Sequence, residues 1–269
     1  MAITSADGWF AAAKQKLTLI KTSSITTIAR EPFSLWDVAG NPSGGTASVG
    51  NTTTGILFDD TITGTPGINA FGGGATGYIA AGKFRGSVTG GLILYDRLWG
   101  AGAVSMTSLA TTSFTSQPSI AARLPATDYE TVEILLEITT AVSATATTVN
   151  VAYTNQSGVT GRTTGATSSL SGFTARRIIA MPLQAGDTGV QKIESVTVGG
   201  TVATAGAFNV LIARRLAQFD NRVQGQLDTQ GWDVIGAPEI FATSALWMVS
   251  LADSTSSGTP TLMLDIING

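Results

Sequence analysis

The chain of 269 residues contains no histidine and no cysteine, and only 12% of its residues are charged. Without imidazole it lacks the side chain that titrates nearest neutrality and most often moves protons or binds zinc. Without thiols it has no thiolate nucleophile, no thiolate metal ligand and no disulfide. The charged fraction is about half of ordinary usage, so less polar surface is available to keep a free monomer in solution. Fifteen Lys and Arg against eighteen Asp and Glu leave a net charge of −3, which argues against phosphate-backbone binding and hence against a nucleic-acid partner. Long apolar runs are missing too. Mean hydropathy is positive at +0.26, yet no stretch approaches the ~18–20 apolar residues of a spanning helix, and no membrane association is expected. Met1-Ala2-Ile3-Thr4-Ser5 has neither the basic nor the apolar region of a signal peptide, so cytoplasmic synthesis is expected.

What is present is Gly, Ala, Ser and Thr interleaved with short Val/Ile/Leu runs. Residues 1–21 have helical spacing: Ser5 can cap, Trp9, Ala13, Leu17 and Ile20 fall on one face, and Lys14, Lys16 and Lys21 lie toward the C-terminal end, where a helix dipole favours cations. Residues 39–82 are punctuated by Gly44-Gly45, Gly50, Pro66-Gly67 and Gly72-Gly73-Gly74 and read as a long glycine-rich loop. From about residue 88 the period changes to that of strands. Val132, Ile134, Leu136 and Ile138 alternate with Glu133 and Glu137, which predicts a core face and a solvated face. Residues 147–154 and 159–164, joined by Asn155-Gln156-Ser157-Gly158, read as a hairpin. Further strands are expected at 92–95, 177–183, 190–198, 207–216, 245–251 and 261–267, with a long excursion at 219–243.

The pattern predicts an all-β fold, a β-sandwich for which a jelly-roll arrangement is one option, carrying an N-terminal helical arm and long Gly-rich loops. The expected division is an arm and loop region over 1–87 and a sandwich domain over 88–269. Trp9, Phe10, Phe33 and Trp36 lie outside the strand pattern and are the candidate intermolecular contacts, because aromatics are enriched where protein surfaces meet.

Several motifs invite chemistry and fail on physical grounds. Gly72-Gly73-Gly74-Ala75-Thr76-Gly77 matches a dinucleotide fingerprint, but no buried strand precedes it and no helix follows. Gly77 to Lys83 nearly matches a phosphate-binding loop, but Phe84 stands where a hydroxyl would meet Mg²⁺, and a flexible loop is expected. Glu133 and Glu137 are four strand residues apart, ~13 Å, beyond the ~5–9.5 Å of glycosidase carboxylates. Asp59-Asp60 lacks the spaced oxygen ligands of a calcium loop. Asn51-Thr52-Thr53 and Asn155-Gln156-Ser157 match glycosylation acceptors in a chain without a secretion signal. Trp99, Trp232 and Trp247 could stack on sugars if exposed, and core packing is the expectation for each. No catalytic residue, cofactor or metal ion is therefore expected, and the chain does not read as an enzyme.

Four stretches resemble a group of tailed-bacteriophage virion structural proteins: Phe33-Ser34-Leu35-Trp36 before the Gly/Pro/Thr loop; Leu94-Tyr95-Asp96-Arg97-Leu98-Trp99; Val151 to Thr163; and Leu183 to Val190 before Ser195-Val196-Thr197. The resemblance covers roughly residues 1–216 and is most specific in the middle two stretches. It implies a location in the virion, made in the host cytoplasm, and partners that are other capsid subunits and further copies of the chain. A capsid-associated decoration, cement or minor capsid protein is the role expected. A major shell protein and a receptor- or glycan-binding fibre module are the alternatives. The family supplies no catalytic residues.

Overall fold

The computed structural model describes Gly8, residues 12–72 and residues 75–269. It is nearly all β, with 48% strand and 4% helix, as the periodicity predicts. The first strands are β1 (Ala13–Lys21), β2 (Phe33–Ser34), β3 (Gly40–Asn41), β4 (Asn51–Leu57), β5 (Gly77–Arg85) and β6 (Gly90–Ser105). Then come β7 (Thr111–Ser113), β8 (Val132–Thr140), β9 (Thr147–Asn155), β10 (Arg162–Thr163), β11 (Ile178–Met181) and β12 (Val190–Gly200). The chain closes with β13 (Ala207–Asn221), β14 (Asp228–Gly231), helix α1 (Trp232–Ile235), β15 (Glu239–Ile240), β16 (Leu246–Ala252) and β17 (Thr261–Asn268).

Two compact units share this chain. One comprises residues 1–45, 59–96 and 216–269, and the other residues 46–58 and 97–215. This differs from a division after residue 87. The long strands β6 and β13 each give one half to each unit. A local change of composition cannot register that, because unit membership is decided by long-range pairing.

The first unit carries a sheet in the order β14-β5-β17-β1-β3, with β15 also on β5. Its core joins Leu19, Ile79, Leu262, Leu264 and Ile266 of that sheet to Leu92, Leu94, Leu216, Phe219, Leu246 and Met248 of β6, β13 and β16. Burying each such side chain contributes roughly 1.5–3 kcal/mol. The second unit packs the β10-β9-β12-β7 sheet over β8, β11 and the first half of β13. Val149, Val151, Tyr153, Ile193, Val196 and Val198 meet Val132, Ile134, Leu136, Ile138, Phe208, Val210 and Ile212 in its core.

Several expectations are corrected. Residues 13–21, assigned to the helical arm, form strand β1, paired over eight residues with β17 from Ala13↔Asn268 to Ile20↔Thr261. Gln15, Leu17, Leu19 and Lys21 form the less exposed set and Lys14 and Lys16 point out, a period of two that the spacing of Trp9, Ala13, Leu17 and Ile20 masks. Tertiary pairing with an apolar partner strand decides between the two periods. Gly77 to Lys83 is not a flexible loop but most of β5, held between β14 and β17. The 39–82 region contains β3, β4 and part of β5. Two of its glycines are there for close approach: a Cβ on Gly45 would overlap the Trp36 indole, and one on Gly64 would crowd Gly45 and Trp36.

The expected hairpin forms, β10 pairing antiparallel with β9 at Arg162↔Tyr153. The strands anticipated between residues 92 and 267 are all present. The 219–243 excursion is built from the end of β13, β14, α1 and β15.

Candidate functional site

Two hydrogen-bonded frameworks gather polar side chains of the second unit. In the first, β8 presents Glu137 inward. Val132, Ile134, Leu136 and Ile138 are buried as the alternation requires, but Glu137 is only 4% exposed, so it does not lie on the solvated face assigned to it. The reason is a partner the local pattern cannot reveal. Arg97 of β6, fully buried, donates from Nη2 to Glu137 Oε2 at 2.9 Å. Asn209 of β13 donates from Nδ2 to the same oxygen at 2.9 Å and to Ala47 O at 2.7 Å. Asn209 Oδ1 in turn accepts from the Val49 amide. The Arg97 guanidinium lies 4.3 Å from the centroid of Phe58, a cation–π contact.

In the second framework, Asp187 gathers four donors. Tyr153 Oη and Asn155 Nδ2 each donate at 2.7 Å, Arg162 Nε at 2.8 Å and Arg162 Nη2 at 3.1 Å. Tyr153 Oη also accepts from the Gln184 amide at 2.8 Å. The Arg162 hydrogen bonds, aided by those of Asn155 and Tyr153, hold the Asp187 carboxyl down at about 2. Burial first, then the bond to Asp187, pushes the Tyr153 phenol up to about 12. A carboxylate so saturated is a poor base, and a phenol so raised is a poor acid or nucleophile. The arrangement ties the β9–β10 hairpin to the 184–189 turn.

The first unit uses its polar groups in the same way. Asp96 accepts from Ser244 Oγ at 2.8 Å and from the Ala245 amide at 3.0 Å. Trp247 Nε1 donates to Ser34 Oγ at 3.0 Å, and the Tyr95 and Trp247 rings lie 5.5 Å apart. Lys21 is buried and donates to Val38 O at 2.9 Å. Burial lowers its amine to about 8, against an opposing pull from Asp37. It borders a crevice of about 10 Å³ lined by Leu19, Leu35, Trp36 and Trp247 among others, which is room for about one water.

The predicted contact residues fall differently. Trp9 and Phe10 lie outside the described residues. Phe33 and Trp36 are 0% and 2% exposed, which places both in the core of their own unit, with no surface to offer a neighbour. Trp99 and Trp247 are buried as well. Asp59 Oδ1 accepts from the Thr61 amide and hydroxyl, closing its own turn. Asn51 Oδ1 accepts three amides of residues 53–55. Among the described residues no group of three or more carboxylates could hold a metal ion.

Sequence reasoning missed the surface that does stand out. Of eight exposed large apolar side chains among the described residues, four lie in one twelve-residue stretch: Val223, Leu227, Trp232 and Val234. Trp232 is 58% and Val234 66% exposed. The stretch spans edge strand β14 and helix α1, both within the first unit. Its signal in the sequence is an apolar residue on each side of Asp228-Thr229-Gln230-Gly231 with no Lys or Pro to guard it.

No protein-family model and no curated protein matches the chain. Among solved structures it aligns with the D431N mutant VP2 protein of infectious bursal disease virus in derived T=1 particles, at 10% identity over 96% of this chain and 77% of that one, with a TM-score of 0.18. A structure of the Gt strain of the same virus aligns at 10% identity over 94% and 81%, with a TM-score of 0.17. The VP2 subviral particle gives 10%, 96%, 80% and 0.18. TM-scores at this level do not establish a shared fold, and the reading of function rests on the chain's own residues.

Proposed function

We propose that this chain is a structural protein of a tailed-bacteriophage virion, a capsid-associated decoration, cement or minor capsid protein that binds other shell subunits. The observation that carries the reading is the contrast between interior and surface. Arg97, Tyr153, Arg162 and Asp187, from stretches the sequence marks as distinctive, are held in side-chain hydrogen-bond frameworks, while an apolar segment stands at the surface. The 12% charge supports it, because a chain this poor in charge is better suited to an assembly than to a dilute monomer. The resemblance of the four stretches supplies the virion. On a symmetric shell, repetition turns contacts of modest strength into firm retention.

Quantitative mass spectrometry of purified particles, with cryo-electron microscopy of the head, tests this. The chain should be present in stoichiometric amounts and resolved against the shell. Its absence from purified particles would overturn the proposal. Copies equal in number to the lattice subunits, with no other shell protein present, would make it the major shell protein instead. Exposed Trp232 favours one second reading, a glycan-binding module, since it offers a ring on which a sugar can stack. Glycan-array binding abolished by Trp232→Ala would establish that reading.

A further inference from the structure

We infer that the outward face of the first unit's β14-β5-β17-β1-β3 sheet docks an acidic, partly apolar segment of a partner protein. Strands β1, β17 and β5 lie side by side, and their inward residues, among them Leu19, Leu262, Leu264, Ile79 and Phe84, fill the core of that unit. Alternation turns the residues between them outward. The register sets these in rows across the sheet: Lys16, Asp265 and Ala81; Thr18, Met263 and Lys83; Ile20, Thr261 and Arg85. Lys14, also exposed, extends the β1 column, so four cations stand on one face. The three strands contain a single acidic residue, Asp265. Its carboxylate lies 3.8 Å from Lys16 Nζ and 3.5 Å from Lys83 Nζ. One carboxylate shared between two lysines leaves the face positive.

This sign runs against that of the unit. Residues 1–45, 59–96 and 216–269 hold seven Lys and Arg against twelve Asp and Glu, a net −5, yet four of the seven cations gather here. Of the others, Lys21 is buried and Arg30 pairs with Asp253. Like charges on one face repel each other, and a partner of opposite sign relieves that repulsion. The face also decides which anion fits. Ile20, Ala81 and Met263, all half-buried, lie among the cations, so a segment offering carboxylates at its margins and apolar side chains between them is matched in every row. Neighbouring strands lie about 4.8 Å apart, which puts the cations of β1 and β5 about 10 Å apart, the width of one helix. A nucleic-acid backbone would present phosphate to Asp265 and nothing to the apolar residues. A second copy cannot close a two-fold pair here, because an isologous contact sets the face against itself, cation against cation. None of this depends on a virion location.

Fluorescence anisotropy with three labelled probes tests this: a short peptide alternating Glu with Leu, its counterpart alternating Lys with Leu, and a short DNA duplex. The purified wild-type chain should bind the Glu/Leu peptide most tightly, and less tightly as salt is raised. Lys16→Glu and Arg85→Glu, both at exposed positions, should each weaken that binding at least about tenfold. Asp265→Asn should strengthen it, and Lys192→Glu in the other unit should leave it unchanged. Circular dichroism confirms that the variants fold. A wild type that binds the Glu/Leu peptide no better than the Lys/Leu peptide overturns the inference. So does tighter binding of the duplex than of the Glu/Leu peptide, or Lys16→Glu and Arg85→Glu variants that bind as the wild type does. Sedimentation velocity supplies one more outcome: a wild type that self-associates and is made monomeric by Lys16→Glu would assign the face to a second copy, and would equally overturn docking of a different protein.

Discussion

Removing Glu137 should destabilise the second unit far more than its place in an alternating strand suggests. Glu137 is the acceptor for buried Arg97, and Glu137→Ala leaves that guanidinium without its counter-ion in a dry site. Breaking a buried ion pair from one side costs about 3–5 kcal/mol. The Asn209 amide also loses an acceptor but keeps Ala47 O, and the Phe58 ring remains over the guanidinium, so the loss should not exceed that range. Glu133, four residues earlier and partly exposed, should cost about 1 kcal/mol or less when replaced by Ala. Leu136→Ala, a cavity in the core, should cost about 2–5 kcal/mol. Urea titrations at neutral pH, followed by tryptophan fluorescence and circular dichroism, read these as midpoint shifts. With m-values of about 1–3 kcal/mol/M, Glu137→Ala should move the midpoint by at least about 1 M.

Magnitude alone does not separate a lost ion pair from a lost contact, and a double-mutant cycle does. Replacing both partners with apolar residues removes the stranded charge. Arg97→Met with Glu137→Leu should therefore recover most of the loss, because such replacements are often neutral or stabilising by about 1–4 kcal/mol. Combining Arg97→Met with Leu136→Ala should recover nothing. The reasoning is refuted if Glu137→Ala costs no more than Glu133→Ala, or if the Arg97/Glu137 double variant loses the sum of its two single variants.

The two shifted groups predict opposite pH behaviour. Asp187 sits at about 2 in the folded chain against an ordinary 3.8, so its contribution is fully present above about pH 4 and fades as pH falls through 2; the gap in urea midpoint between wild type and Asp187→Asn should close over that window. Lys21 is lowered from 10.5 to about 8, so between those values the unfolded chain binds the extra proton and stability should rise with pH, by up to about 3 kcal/mol. Lys21→Met should flatten the rise across midpoints measured from pH 7.5 to 10.5, and a wild type that loses stability in that window would show that the amine is not desolvated.

What could be read in advance was what depends on local order. The β6, β8, β9, β12, β13, β16 and β17 strands announce themselves by runs or alternations of Val, Ile and Leu, and the β9–β10 hairpin by Asn155-Gln156-Ser157-Gly158. β1 was obscured because Leu17 and Ile20 satisfy a helical period as well as a strand one, and only pairing with β17 separates them. The burial of Glu137 is hidden from the local pattern for a related reason. Alternation reports which residues share a face, but a face can be buried on both sides of a sheet, and the arginine that makes this tolerable is forty residues away. Phe33 and Trp36 lie outside any alternating run, so local pattern does not reveal that they are core residues, with Gly45 and Gly64 leaving room for the Trp36 indole.

The stretches that carry the resemblance now have a physical account. Val151 to Thr163 and Leu183 to Val190 are distant in sequence, but Tyr153, Asn155 and Arg162 from the first meet Gln184 and Asp187 from the second. Ser34 from one stretch bonds Trp247, against which Tyr95 from another packs, and Arg97 from that same stretch pairs with Glu137. Each is a buried or half-buried polar junction, where many substitutions strand a donor, an acceptor or a charge. Such positions keep a sequence distinctive through the demands of folding and say little about partners. The 223–234 stretch is under less of this demand, with Val223, Leu227, Trp232 and Val234 at least 44% exposed. Substitution at Val223, Leu227 or Val234 should therefore shift a urea midpoint far less than substitution at Tyr153, Glu137 or Asp187.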